Sequence, residues 1–221
     1  MEEEEVKPIE YKFILLGDTS VGKSSIFQRI SGKAFHDEQT STIGTDKLVI
    51  NFDNIQINEN EYQNFKIVLF DTAGQERYRA ITKNFFRDSQ GIILIYSIVD
   101  EESFRHIQTW LDSIKESLSD WKRSGYILML LANKVDIAEA KPERRMILYD
   151  EGETICNEQG IYWGGECSAK TFDEKKIKEI FEKFIKQIYL KLGNDSNNSI
   201  QNIIKMNGYI KPKKKKGNAC C

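Results

Sequence analysis

YKFILLGDTSVGKSS, residues 11–25, decides the fold. It opens on a short, nearly unbroken apolar run, the composition of a strand covered on both faces. Gly17 and Gly22 follow, then Lys23 and Ser24. A tight turn needs one glycine, not this whole arrangement. The pattern is G-x-x-x-x-G-K-[ST], set between a strand and a predicted helix, the context in which it binds phosphate. Each part has a chemical reason. Main-chain N–H groups must converge on phosphate oxygens, so side chains and unfavourable φ angles are excluded at the glycines. The helix that starts near Gly22 turns its positive end toward the anion. Lys23 sets an ammonium against the β- and γ-phosphates, and Ser24 offers a hydroxyl to Mg²⁺. The expected loop contacts are Asp18, Thr19, Ser20, Val21, Gly22, Lys23, Ser24 and Ser25.

Further apolar runs occupy residues 65–70, 91–98 and 126–132, with a weaker candidate at 161–168. Residues 46–57 alternate and read as an edge strand, turning through NENEYQN into 65–70 and antiparallel to it. Helical spacing fits 22–31, 101–119, 148–159 and 173–192. In the last, Ile177, Ile180, Phe181, Phe184, Ile185 and Ile188 form one stripe. Strands alternating with helices predict an α/β, doubly wound, mostly parallel six-stranded sheet with one antiparallel edge strand and helices on both faces.

Two more strand ends carry chemistry. Asp71 closes 65–70 and opens DTAGQE. A carboxylate there can hold a water on the same Mg²⁺, Gly74 offers an N–H to a γ-phosphate, and Gln75 can orient a water nucleophile. After 126–132 comes Asn133-Lys134-Val135-Asp136. Asp136 can accept two hydrogen bonds from guanine N1–H and the exocyclic amine. Adenine lacks that donor pair and would leave the carboxylate unpaired. Asn133 and Lys134 would brace the loop and the base. Ser168-Ala169-Lys170 can supply a main-chain N–H to the guanine oxygen and a stem along its ring. Alone, DTAG reads as a solvated turn and N-K-x-D as ordinary surface composition. Together with the phosphate loop they specify one purine triphosphate site.

Composition limits the alternatives. No apolar run approaches the roughly 18 to 20 residues of a membrane-spanning helix. MEEEEVKPIE is acidic and lacks the apolar core of a secretory signal. Cys156 and Cys167 read as reduced thiols, not a disulfide framework. From Ser196 onward there is no acidic residue and there are six lysines, so a net charge of −2 leaves about −8 on the body. That body is no nucleic-acid binder, whereas the tail suits an anionic surface. The expected organisation is an acidic extension (1–10), one nucleotide-binding domain (11–192) and a flexible tail (193–221). His36 and His106 carry no evident chemistry and are expected in a loop and on a helix surface.

GDTSVGKS, DTAGQE, NKVD and SAK stand in the order and spacing of the Ras-like small GTPases, which the chain resembles over about residues 11–192. The resemblance implies a P-loop NTPase that hydrolyses GTP to GDP and serves as a switch. It adds Thr42, matching a switch threonine that binds Mg²⁺ and senses the γ-phosphate, and Phe35, matching an aromatic packed edge-on to the base. The metal set is then Ser24 and Thr42, with Asp71 acting through water. The catalytic set is Gln75, Lys23 and Thr42.

IGTD (43–46), RYRAIT (77–82) and FFRDSQGIILIYSI (85–98) resemble the Rab family, which directs vesicle traffic. Cys220-Cys221 looks like the Rab site for double geranylgeranylation. Two prenyl chains anchor stably where one binds marginally, and the lysine run adds roughly 1 kcal/mol per residue at an anionic leaflet. The resemblance implies a monomer in the cytosol and on the cytoplasmic face of an intracellular membrane. It implies an exchange factor, a GTPase-activating protein, a GDP-dissociation inhibitor, an escort protein and effectors as partners. Departures from the Rab pattern are a longer join between the second and third strands, Phe70 for tryptophan, Lys47 on an apolar effector-facing position, and Thr19 where glycine leaves room for transition-state groups. Competing readings are a nucleotide-locked scaffold without useful turnover, and an ATPase or kinase, against which Asp136 argues.

Overall fold

The computed structural model describes residues 7–36, 45–72, 89–117 and 127–206, with side chains of the last stretch described as far as Leu192. Six strands form one sheet: β1 (Ile9–Leu16), β2 (Thr45–Asn58), β3 (Glu61–Thr72), β4 (Gly91–Ser97), β5 (Ile127–Asn133) and β6 (Tyr162–Glu166), in the order β2-β3-β1-β4-β5-β6. The helices are α1 (Lys23–Ile30), α2 (Glu101–Ser117), α3 (Val135–Ala140), α4 (Tyr149–Gln159) and α5 (Glu174–Met206), with a 3₁₀ turn at Pro142–Arg144. All neighbouring strands run parallel except β2 and β3. This is the doubly wound P-loop architecture expected from the alternation of apolar runs and helical stretches.

Side-chain alternation along the central strands explains why they read as unbroken apolar runs. On one face Phe13, Leu15, Ile93, Ile95, Met129 and Leu131 pack with Ile26 and Ile30 of α1 and with Ile177, Phe181, Phe184, Ile185 and Ile188 of α5. On the other, Ile14, Leu16, Ile92, Leu94, Leu128 and Leu130 pack with Ile107, Trp110, Leu111 and Ile114 of α2 and Cys156 of α4. Each strand therefore has two buried faces and no polar position to spare. Truncating a fully buried aromatic such as Phe181 costs about 3–5 kcal/mol.

The chain leaves β1 toward β2 and β3 on one side, then crosses to β4 on the other. The C-terminal end of β1 is thus the switch point of the sheet, where open α/β folds bind ligands. After β4 the chain turns at once into α2. Asp100 Oδ1 accepts the N–H of Glu102 at 3.2 Å and of Ser103 at 3.4 Å, a side-chain cap that starts the helix beside that end.

Two segment boundaries differ from expectation. NENEYQN is not a loop: β2 runs through Asn58 and β3 begins at Glu61, so the long join is a hairpin extended outward. Its polar face misled the reading, while Phe52, Ile55 and Ile57 are buried beneath it. Bulges between Phe52 and Ile55 and between Gln56 and Asn58, with Asn54 at φ +57°, bend the ribbon. Tyr189 of α5 braces it, donating to Glu61 Oε1 at 2.7 Å and meeting Phe65 edge to face. The last helix also continues past the expected end at Leu192 to Met206. GNDSNNS contains no proline to stop it, and Ile200, Ile203 and Ile204 recur at helical spacing.

Candidate functional site

The phosphate loop bridges β1 and α1. Gly17 takes φ +133°, and a Cβ there would lie 2.1 Å from the carbonyl oxygen of Ile95 on the neighbouring strand. Gly22 takes φ +101°, and its Cβ would lie 2.2 Å from Asn133 Nδ2. Only glycine fits either position. Ser20 also holds a positive φ of +64°, rare for a residue with a side chain and typical of strain kept at a site. Gly22, the residue preceding α1, brings no side chain to cap it.

Lys23 is buried, at 5% exposure, and folds back over the loop. Its Nζ donates to the carbonyls of Gly17 at 3.0 Å and Asp18 at 2.6 Å. Burial pushes its pKa down to about 8, while the carboxylates of Asp71 and Asp18 work against that fall. Asp71, 1% exposed, lies at the end of β3 in register with Leu15 of β1. Thr72 clips the same strand end to β1, its Oγ1 donating to Leu15 O at 2.8 Å. The hydroxyl of Ser24, in the first turn of α1, and the carboxylate of Asp71, at the end of β3, are hard oxygen donors of the kind that fits Mg²⁺.

Asn133 ties this loop to the other two. Its Nδ2 donates to Val21 O at 2.8 Å, and its Oδ1 accepts from Ala169 N at 3.1 Å and from the Cys167 thiol. Lys134 turns the chain with φ +72° into α3, and burial lowers its pKa. Val135 N donates to Cys167 O at 3.2 Å, closing the NKVD loop onto the SAK loop. Ser168 Oγ donates to Asp136 Oδ1 at 2.6 Å and accepts the N–H groups of Lys170 and Thr171. Lys170 Nζ stands 5.5 Å above the Phe35 ring, at the mouth of the same loops. Four separated segments thus meet at one edge of the sheet.

The Ras family model matches residues 12–190. The chain belongs to the Ras-like small GTPases, in their Rab family. It is 38% identical to Ras-related protein Rab-13 of Mesocricetus auratus over 183 residues, covering 83% of this chain and 82% of that one. Against Ras-related protein Rab-13 of Bos taurus and of Canis lupus familiaris it is 37% identical over the same shares.

As a small GTPase the chain is an enzyme. Asp18 through Ser25, Phe35, Asp71, Asn133, Lys134, Asp136 and Ser168 through Lys170 lie at this edge. Thr42, Gly74 and Gln75 lie outside the described residues, as do Cys220 and Cys221. The main-chain N–H groups of Ala169, Lys170 and Thr171 all have acceptors within the protein itself. The serine of SAK acts through its hydroxyl, a role its motif did not announce.

His106 stands on the exposed surface of α2, as expected, but it has a partner that the sequence did not show: its Nδ1 lies 2.5 Å from Asp18 Oδ2. Trp110 Nε1 donates to Asp18 Oδ1 at 2.8 Å. No local pattern could reveal a pairing across so many residues. Arg145 also escaped notice; it grips Glu166 with two bonds of 2.6 and 3.0 Å and fixes the end of β6 just before the SAK loop. His36 is exposed after Phe35, as expected of a loop histidine. Among the described residues no helix is long and apolar enough to cross a membrane.

Proposed function

We propose that the chain binds GTP and GDP with Mg²⁺, hydrolyses GTP, and works as a membrane-anchored switch in vesicle traffic. The observation that carries this reading is Asn133, whose carboxamide joins Val21 of the phosphate loop to Ala169 of the base loop. That bond pair ties the loop carrying Lys23 to the loops carrying Asp136 and Ala169, which supports reading them as one nucleotide site.

Lys23 and the loop N–H groups stabilise charge that develops on the β–γ bridge oxygen. Asp136, steadied by Ser168, takes the two guanine donors. Phe35 and the Lys170 stem flank the base. Gln75 orients the attacking water. Ser24, Thr42 and Asp71 are the residues that would hold Mg²⁺, which when bound neutralises charge on the β- and γ-phosphates. The described residues bring no arginine to Lys23, so a GTPase-activating protein is the expected source of one. The segments around Thr42 and Gln75 order with GTP and relax with GDP.

Single-turnover hydrolysis of GTP, alone and with candidate activators, tests the reading, with Gln75→Leu as control. Wild type decaying faster than the variant supports a turning-over switch. Equal, slow decay under every condition supports a nucleotide-locked scaffold instead. The anchor is tested separately: removing Cys220 and Cys221 should send the protein from membranes to the soluble fraction. Exchange factor, GDP-dissociation inhibitor, escort protein and effectors are the further partners of such a monomer, shared between the cytosol and the cytoplasmic face of an intracellular membrane.

A further inference from the structure

Asp18 is a carboxylate inside a loop built to hold anions. Left loose, it would sit among the phosphates and repel them, or take Lys23 for itself. The structure disposes of it in a particular way. Its main-chain carbonyl accepts from Lys23 Nζ, while both oxygens of its side chain are engaged by α2. Trp110 supplies its indole N–H to one oxygen and His106 its Nδ1 to the other.

The two α2 residues are four apart, the spacing that puts side chains on one face of a helix. Trp110 is buried, at 4% exposure, in the cluster with Ile107, Leu111 and Ile114, so packing fixes where its N–H points. His106 is half-exposed and closes the clamp from the rim. Its neighbouring cation, Arg105, is occupied by Glu101 at 2.7 Å and does not compete. Asp100 caps the helix that carries them all.

We propose that His106 and Trp110 are positioning residues of the phosphate loop: they hold the Asp18 carboxylate on α2, off the phosphate-binding face, and so slow nucleotide release. The proposal rests on the guanine-nucleotide reading above. It makes α2 a lever on the nucleotide, since a shift of that helix carries Asp18 with it.

The test is release of fluorescent mant-GDP from the full-length protein with Mg²⁺, chased by excess GDP. His106→Ala changes a half-exposed side chain and should release roughly tenfold faster than wild type, the loss expected for one charge-assisted hydrogen bond. Trp110→Phe keeps most of the ring, drops the N–H, and should also accelerate release. His106→Asn returns an amide donor near the Nδ1 position and should restore the rate to within about twofold of wild type. In an Asp18→Ala background, His106→Ala should change the rate by less than about twofold, because the group it restrains is gone.

Release from His106→Ala at the wild-type rate overturns the clamp. So does an acceleration that persists undiminished beside Asp18→Ala, which would assign the effect to helix packing. A wild-type protein that retains no mant-GDP at all overturns the guanine-nucleotide reading first, and the clamp with it.

Discussion

Asn133 Nδ2 donates to the carbonyl oxygen of Val21 at 2.8 Å, joining the end of β5 to the phosphate loop. The same side chain accepts from Ala169 N, so one buried carboxamide joins the loop after β1 to the loop after β6. Asn133→Ala removes a donor and an acceptor together, leaving buried main-chain groups unpaired. We expect a stability loss of about 2–4 kcal/mol in urea unfolding. Guanine-nucleotide affinity should fall further than stability alone accounts for, as read by titration with mant-GDP. Unchanged unfolding midpoints would contradict the bridging role.

Gly22 and Asn133 are coupled through space. A Cβ on Gly22 would meet Asn133 Nδ2 at 2.2 Å, and φ +101° adds strain for any L-residue. Gly22→Ala should therefore destabilise the protein by roughly 3 kcal/mol or more. Part of that cost is the clash with the carboxamide. Measured in an Asn133→Ala background, the same substitution should cost at least about 1 kcal/mol less. Strict additivity would show that the strain lies in the backbone alone.

Lys23 gives a pH dependence with a definite sign. Its ordinary pKa of 10.5 falls to about 8 in the fold because of burial. Between those values the unfolded chain holds the proton more than the folded one does, so the nucleotide-free protein gains stability as pH rises through that window. An anion beside Nζ favours the charged form and restores the proton. GDP binding above about pH 8 should take up a proton at Lys23, and this contribution to affinity should weaken as pH rises further. Calorimetry near pH 8.5 in buffers of different ionisation enthalpy measures the uptake. Lys23→Met should abolish it.

Cys156 and Cys167 should be inert in the native protein. Burial raises the Cys156 thiol to about 12 and pushes Cys167 up as well, so neither forms the thiolate that alkylating agents need. Peptide-resolved mass spectrometry after iodoacetamide near pH 8 should find both unmodified until denaturant is added. Native alkylation of either would show that α4 or the end of β6 opens readily.

How much of this was legible in the sequence follows from how local each signal is. GDTSVGKS is short and chemically complete and sits after an apolar run, while NKVD and SAK, weak alone, became readable only in combination with it and in their order after later strands. Phe13 through Leu16 read correctly as a strand because both faces are buried, leaving no alternation to misjudge. The hairpin was misread because Glu61 to Asn64 look like loop residues; only the packing of Tyr189 against Phe65 shows why a strand persists there. Helix α3 is too short, at six residues, to show a period. The grip of His106 and Trp110 on Asp18, and of Arg145 on Glu166, depends on which helix and strand the topology makes neighbours. No spacing along the chain encodes that.

The central claim is that these loops form one site selective for guanine nucleotides, and competition binding tests it most directly. Purified full-length protein loaded with mant-GDP and Mg²⁺ should release the label when challenged with GDP or GTP. It should keep the label against a large excess of ADP or ATP, because adenine leaves the Asp136 carboxylate unsatisfied. Displacement by ATP at concentrations similar to GTP, or failure to hold either purine, would contradict the account.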